Sequence, residues 1–163
     1  MGRRGRRAQL KFFLLDHQIK CICISETIKQ KFTNRELSAL GSGFSFTWDW
    51  VPSKGHSGGL LMGIDEDFAE LVMVESSDQF QAMTLVQKDN FTWRLINMYG
   101  PVKDNLKQVF LDKLEGLIND TDIPTLIGGD FNLVRKIEEK STGNVNLKLM
   151  DAFNNFVANT GVR

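Results

Sequence analysis

The sequence predicts a mixed α/β domain whose strands are mostly antiparallel. Three observations carry that prediction. Short alternating or apolar runs broken by turn residues dominate residues 44–99. Residues 104–119 and 147–161 instead repeat their apolar side chains at helical spacing. The patterns also alternate along the chain as helix, strand, helix, four or five strands, helix, strand, helix. That order fits a mixed sheet better than an all-β sandwich.

Taken in order, Leu10, Phe13 and Leu14 sit at helical spacing and place a first helix over 6–18. "IKCICIS" (19–25) reads as a short buried strand running directly into Glu26. "TNRE" (33–36) has the form of a capping box, with Thr33 at the cap and Glu36 three residues on. Leu37 and Leu40 follow it and Gly41 closes the helix. "FSFTWDW" (44–50) alternates as a strand and ends at Pro52. After the loop "SKGHSGG" come three strand patterns, "LLMGI", "FAELVMVES" and "QFQAMTLVQ", then the turn "KDN" and a further strand, "FTWRLINMY" (91–99). Helix 104–119 carries Leu106, Val109, Phe110, Leu114, Leu117 and Ile118 as its apolar stripe. "PTLIGGDF" is expected as a buried strand, and "LKLMDAFNNFVANTG" as a last helix stopped by Gly161.

The chain has 163 residues, 42% of them hydrophobic and 25% charged, which bounds it to one globular domain with a real core. No apolar run reaches the roughly 20 residues of a membrane span. The basic start lacks an h-region and a cleavage site, so no secretory signal is read and an intracellular place, nucleus or cytoplasm, is expected. Net charge is zero but uneven. Residues 1–31 hold eight Lys/Arg against Asp16 and Glu26, a balance of +6, and the remainder carries −6. Arg3, Arg4, Arg6 and Arg7 in "RRGRR" are therefore candidates for a nucleic-acid-facing arm; a nuclear-import patch or a solvated helix turn accounts for them as well. Cys21 and Cys23 share a strand face and read as two small apolar residues in a reducing compartment, since no further Cys or His completes a zinc set. Nothing in the sequence points to an oligomer.

Three strand patterns end in polar residues able to do chemistry. Asp130 and Asn132 lie two positions apart at the end of "PTLIGGDFN" and so share a face, with Phe131 on the other. Ligand sites in α/β sheets favour such C-terminal strand ends. A strand-end turn capped by Asp explains the motif equally well when it is taken alone. Gly128 and Gly129 remove side chains where a substrate or a neighbouring strand comes close. Glu26 follows "CICIS", and Tyr99 follows "LINM" before the rigid Gly100-Pro101 turn. If these ends converge, one carboxylate can hold Mg²⁺, a second can orient a water, and amide and phenol groups can bind phosphate oxygens.

"CISET", "INMYGP" and "LIGGDFN", in this order and at these intervals, resemble the endonuclease/exonuclease/phosphatase superfamily with its deoxyribonuclease I-like fold. "HSGGLLMGI", "GGDFNLVRKIEEKSTGN" and "LMDAFNNFV" bring the resemblance closest to the endonuclease domain of plant non-LTR retrotransposons. The resemblance implies a four-layer α/β sandwich of two sheets with outer helices and a site at their shared edge. It implies that Glu26 ligates Mg²⁺ or Mn²⁺, Tyr99 hydrogen-bonds the scissile phosphate, Asp130 activates the attacking water and Asn132 holds phosphate. The implied reaction is metal-assisted hydrolysis of a DNA phosphodiester.

The sequence departs from the family pattern at both ends. No Asn-x-Arg-Gly strand precedes "MGRRGRR", no Asn occurs before Asn34, and no terminal Ser-Asp-His follows; His17 and His56 match no family position. The expectation is an incomplete domain over 1–163, lacking its first strand, its C-terminal strands and most of the second sheet. Such a retrotransposon-derived fragment is expected to be marginal in stability and inactive or weakly active alone. The alternatives are a catalytically dead nucleic-acid-binding module and a phosphatase or lipid phosphodiesterase of the same fold.

Overall fold

The computed structural model describes residues 4–41, 44–141 and 143–162, without the side chains of 4–8 and 11. Its elements in chain order are α1 (Arg4–Asp16), β1 (Cys21–Ile24), α2 (Asn34–Gly41), β2 (Phe46–Val51), β3 (Leu60–Asp65), β4 (Ala69–Ser76), β5 (Phe80–Gln87), β6 (Thr92–Tyr99), α3 (Asp104–Asn119), β7 (Thr125–Asp130) and α4 (Leu147–Thr160). A single 3₁₀ turn, Ile137–Glu139, interrupts the connection to α4. None of the described helices is long and apolar enough to cross a membrane.

Two sheets form. One runs β1-β3-β2, antiparallel throughout; the other runs β4-β5-β6-β7, with only the β6–β7 pair parallel. The hairpins of residues 69–99 build three strands of the second sheet, and α3 is the crossover that a parallel β7 requires. Among the described residues the second sheet is the larger of the two.

The layers stack as helices, sheet, sheet, helices. Leu14 of α1 and Leu37 and Leu40 of α2 pack on Ile22, Phe46 and Leu61 from the outer face of the first sheet. Met62 and Ile64 meet Met83, Leu85 and Leu95 between the sheets. Ile96 and Met98 of β6 turn the other way, onto Phe110, Leu111 and Leu114 of α3 and Phe153 and Phe156 of α4. Covered on both faces, β3 is buried at all six positions, which explains its unbroken apolar run. The chain is a four-layer α/β sandwich.

Local signals explain the helix ends. The Thr33 hydroxyl accepts the Glu36 N–H at 3.3 Å and Glu36 accepts the Thr33 N–H at 3.0 Å, the reciprocal pair of a capping box. Asn146 caps α4 by accepting the Leu149 N–H, and Gly161, at φ +66°, ends it. The buried Arg94 donates to the Leu117 carbonyl in the last turn of α3 at 2.8 Å.

Three expectations of burial need correction. Leu106 and Val109 are 45% and 53% exposed, whereas Leu111, left off the stripe, is buried, because α3 turns its Phe110–Leu114 side to β6 and α4. β7 is not a buried strand: among the described residues it pairs on one side only, and Leu126 is 59% exposed. β1 is likewise a sheet edge, so Cys23 is exposed and Cys21 half-buried. The half-buried Cys21 thiol is pushed up to about 11, first by burial and then by the charge of Asp65.

Arg3 lies outside the described residues. Arg4, Arg6 and Arg7 fall on the first turns of α1, and their side chains also lie outside the description.

Candidate active site at the strand ends

β1, β6 and β7 end along one edge of the sandwich, and the register decides what meets there. In the parallel β6–β7 pair Tyr99 stands opposite Asp130, and the Gly100 N–H donates to the Asp130 carbonyl at 2.7 Å. That crossing explains the glycines on either side of it. A Cβ on Gly129 (φ +141°) would lie 1.9 Å from the Met98 carbonyl oxygen, and one on Gly100 would lie 2.1 Å from the Phe131 carbonyl oxygen. Gly128, by contrast, has open space around it. Of the paired glycines, only the second is required by close approach of a neighbouring strand.

Asp130 and Asn132 meet through a tight turn. The Asn132 N–H donates to Asp130 Oδ1 at 2.8 Å, and Asn132 Nδ2 donates to the Gly100 carbonyl at 2.7 Å. Asn132 has left the strand and lies at φ +51°, so the shared orientation comes from the turn and not from strand alternation. Phe131 does face the other way, packing on Phe110, Phe153 and Phe156.

Glu26 arrives from the other sheet. Its loop is pinned beyond β1 by Thr27 N–H to the Gly59 carbonyl and Ile28 N–H to the Gly58 carbonyl, both at 3.1 Å. Glu26 and Ile28 are held at φ +52°, a sparsely populated region for residues with a Cβ. Tyr99 donates its hydroxyl to Glu26 Oε1, bridging the sheets. The phenol is held above its ordinary range first by that hydrogen bond and then by partial burial. Asn132, which also reaches the phenol, pulls it the other way.

Asn97, absent from the candidates drawn from the sequence, makes this meeting possible. It is 1% exposed and donates Nδ2 to the Ile24 carbonyl at 3.2 Å and the Leu61 carbonyl at 3.3 Å, tying β6 to β1 and β3 two residues before Glu26. The signal was present in "LINMY": a polar residue inside an apolar strand, two positions before Tyr99 and so on its face.

Glu26 and Asp130 are exposed, and Tyr99 and Asn132 half-buried. Among the described residues no three His, Cys, Asp or Glu side chains gather as a metal-binding group. The donor set still fits a hard cation of the Mg²⁺ type. Such ions are held by one or two carboxylates and complete their shell with water and phosphate oxygens. Glu26 offers Oε2, its Oε1 being taken by Tyr99. Neither His17 nor His56 hydrogen-bonds to any of the four; the His17 ring lies tilted against Phe13 of α1, with ring centroids 4.4 Å apart.

No protein-family model and no curated protein matches the sequence. Solved structures do. The endonuclease domain of TRAS1, a telomere-specific non-LTR retrotransposon, superposes with TM-score 0.69 at 11% identity, over 98% of this chain and 66% of that one. An AP endonuclease from Archaeoglobus fulgidus gives 0.69 at 17% identity over 95% and 66%. The Xenopus laevis APE2 catalytic domain gives 0.63 at 14% over 93% and 64%. The chain thus spans under two thirds of the length of each. At these identities the likeness establishes the fold alone, which is deoxyribonuclease I-like.

Proposed function

We propose that the chain carries a half-built, metal-assisted phosphodiester-hydrolase site directed at DNA, of the kind a retrotransposon endonuclease domain uses. The observation that carries this reading is the convergence of Glu26, Tyr99, Asp130 and Asn132, drawn from two sheets, at one edge of a deoxyribonuclease I-like sandwich. Two of the solved structures of like fold are endonucleases by name and support the reaction class.

In this reading Glu26 would hold a Mg²⁺ or Mn²⁺ ion, which when bound would supply neutralisation of charge on the phosphate and the leaving oxygen. Tyr99 turns its single hydroxyl proton from Glu26 Oε1 to a phosphate oxygen when substrate binds. Asp130, with one oxygen on the Asn132 N–H, uses the other to orient the attacking water and take its proton. Asn132 braces the Gly100 turn and supplies a further amide beside the phosphate.

Among the described residues no imidazole joins the group, so in this reading proton transfer to the leaving oxygen falls to water. Turnover is accordingly slow or nil. Nicking of supercoiled plasmid with Mg²⁺ tests this: the expected result is little or no nicking beside measurable Mg²⁺ and DNA binding. Rapid cleavage lost in Asp130→Ala would show a complete site and sink the half-built reading. Rapid cleavage indifferent to Asp130→Ala would sink the assignment of the residues.

A further inference from the structure

The second sheet has two margins, and they are built differently. β4 carries Glu70 and Glu75, and its pairing with β5 shifts register between Leu71 and Met73. Charges and bulges of this kind keep a sheet edge from joining another strand. β7 has neither. Residues 125–129 hold no charge and no proline, and their register against β6 is unbroken. Among the described residues the other side of β7 is unpaired.

The backbone of β7 dictates how a further strand meets it. The Pro124 carbonyl accepts from the Arg94 N–H at 2.8 Å and the Asp130 carbonyl from the Gly100 N–H at 2.7 Å, so the even-numbered residues turn their polar groups to β6. By alternation Thr125, Ile127 and Gly129 turn theirs to the open side. Side chains alternate as well. Ile127 packs towards α3 and α4, and Leu126 and Gly128 share the opposite face. Leu126 is 59% exposed, and a Cβ placed on Gly128 would meet nothing within 4 Å. An uncovered apolar side chain thus stands two residues from a gap on its own face.

We propose that this edge is a homodimer interface, where a second copy of the chain pairs antiparallel about a two-fold axis at Ile127. In that register Ile127 faces the partner's Ile127, Thr125 faces the partner's Gly129, and Leu126 faces the partner's Gly128. All three outward-turned residues then find hydrogen-bonding partners. Leu126 and Gly128 form the non-hydrogen-bonded pairs, in which Cα atoms approach to about 4.5 Å, so each Leu126 lies across the bare backbone of the other copy's Gly128. A register setting Leu126 against itself would bring Gly129 opposite Ile123, outside the strand, and lose that pairing. The contact uses the same patch on both copies and so closes as a dimer. The chain's net charge of zero sets up no repulsion between copies. A single strand pair buries less than the roughly 1,200 Å² of a standard interface, so the dimer is weak. The inference is independent of the hydrolase reading.

Sedimentation velocity of the full chain over a range of concentrations is the first test. A monomer–dimer equilibrium with Kd of roughly 10–100 µM is expected. Leu126→Lys should weaken it at least about tenfold, because a charge on the edge blocks strand addition. Val72→Lys, at an equally exposed position on β4, should leave it unchanged. The second test is a crosslink in a Cys23→Ser background, which removes the exposed native thiol. Leu126→Cys combined with Gly128→Cys should give a disulfide-linked dimer on mild oxidation. Leu126→Cys alone should not, since in this register the two positions 126 lie on a diagonal about 7–8 Å apart, beyond the reach of a disulfide. This crosslink decides the matter even if Leu126→Lys fails to fold. The proposal is overturned if the wild type stays monomeric throughout, if folded Leu126→Lys dimerises as the wild type does, or if Leu126→Cys alone crosslinks as well as the double variant.

Discussion

Asn97 should hold the two sheets in the register that lets Glu26 meet Tyr99, and replacing it should cost stability by a calculable amount. Its side-chain nitrogen donates to two backbone carbonyls, at 3.2 and 3.3 Å, from a position 1% exposed. A buried hydrogen bond contributes about 1 kcal/mol net, and an abandoned buried partner adds its own desolvation cost. Asn97→Leu, which keeps the branched shape but neither hydrogen bond, should therefore lose about 2–3 kcal/mol. For a chain of this length that corresponds to a fall of about 5–10 °C in melting temperature. Asn97→Ala should lose somewhat more, since it also leaves a void. Urea unfolding followed by the fluorescence of Trp48, Trp50 and Trp93 measures both. If Asn97→Leu lies within about 0.5 kcal/mol of the wild type, the two contacts do not clamp the sheets and the reasoning fails.

Gly129→Ala should be severely destabilising, because the new methyl meets the Met98 carbonyl in a backbone region that disfavours any Cβ; Gly128→Ala, with open space around it, should be mild, and parallel melts compare the two. Tyr99 is the chain's one tyrosine, so absorbance at 295 nm titrates it directly. Its midpoint should lie above the ordinary phenol value and fall towards it in Glu26→Gln; an unchanged midpoint would mean that Glu26 is not its partner in solution. The Lys29 ammonium, and after it the Thr33 N–H, hold Glu36 down to about 2 against an ordinary 4.5. The folded state thus binds fewer protons there, and the stabilisation is full above pH 4.5 and lost as pH falls from there through about 2. Unfolding midpoints compared at pH 7 and pH 3 should show a smaller acid loss in Glu36→Gln than in the wild type.

Much of this was legible residue by residue. The capping box at Thr33–Glu36, the bounds of α3 and the stop at Gly161 rest on contacts within one or two helical turns, so local sequence suffices for them. The residue patterns alone indicated a mixed α/β domain; the two-sheet sandwich was implied by the family resemblance. The side of α3 that is buried was not legible, because Leu106 and Val109 are as apolar as Leu111 and only the position of β6 and α4 separates them. Nor was the edge position of β7, since an apolar triplet reads the same at the margin of a sheet as in its middle.

What the sequence determined by itself is the set of elements and the chemical types that end three of its strands, because periodicity, caps and breakers act over short separations. Tertiary structure alone decided their relations. Asn97 became a clamp because β1 and β3 present carbonyls to it from 73 and 36 residues away. Glu26 became Tyr99's partner because Gly58 and Gly59 pin its loop, and Lys140 and Asn144 came to line the same cavity as Asp130 because the chain returns to α4 beside α3. Hydrogen bonds and cavities join groups by distance in space, and separation along the chain does not encode that distance.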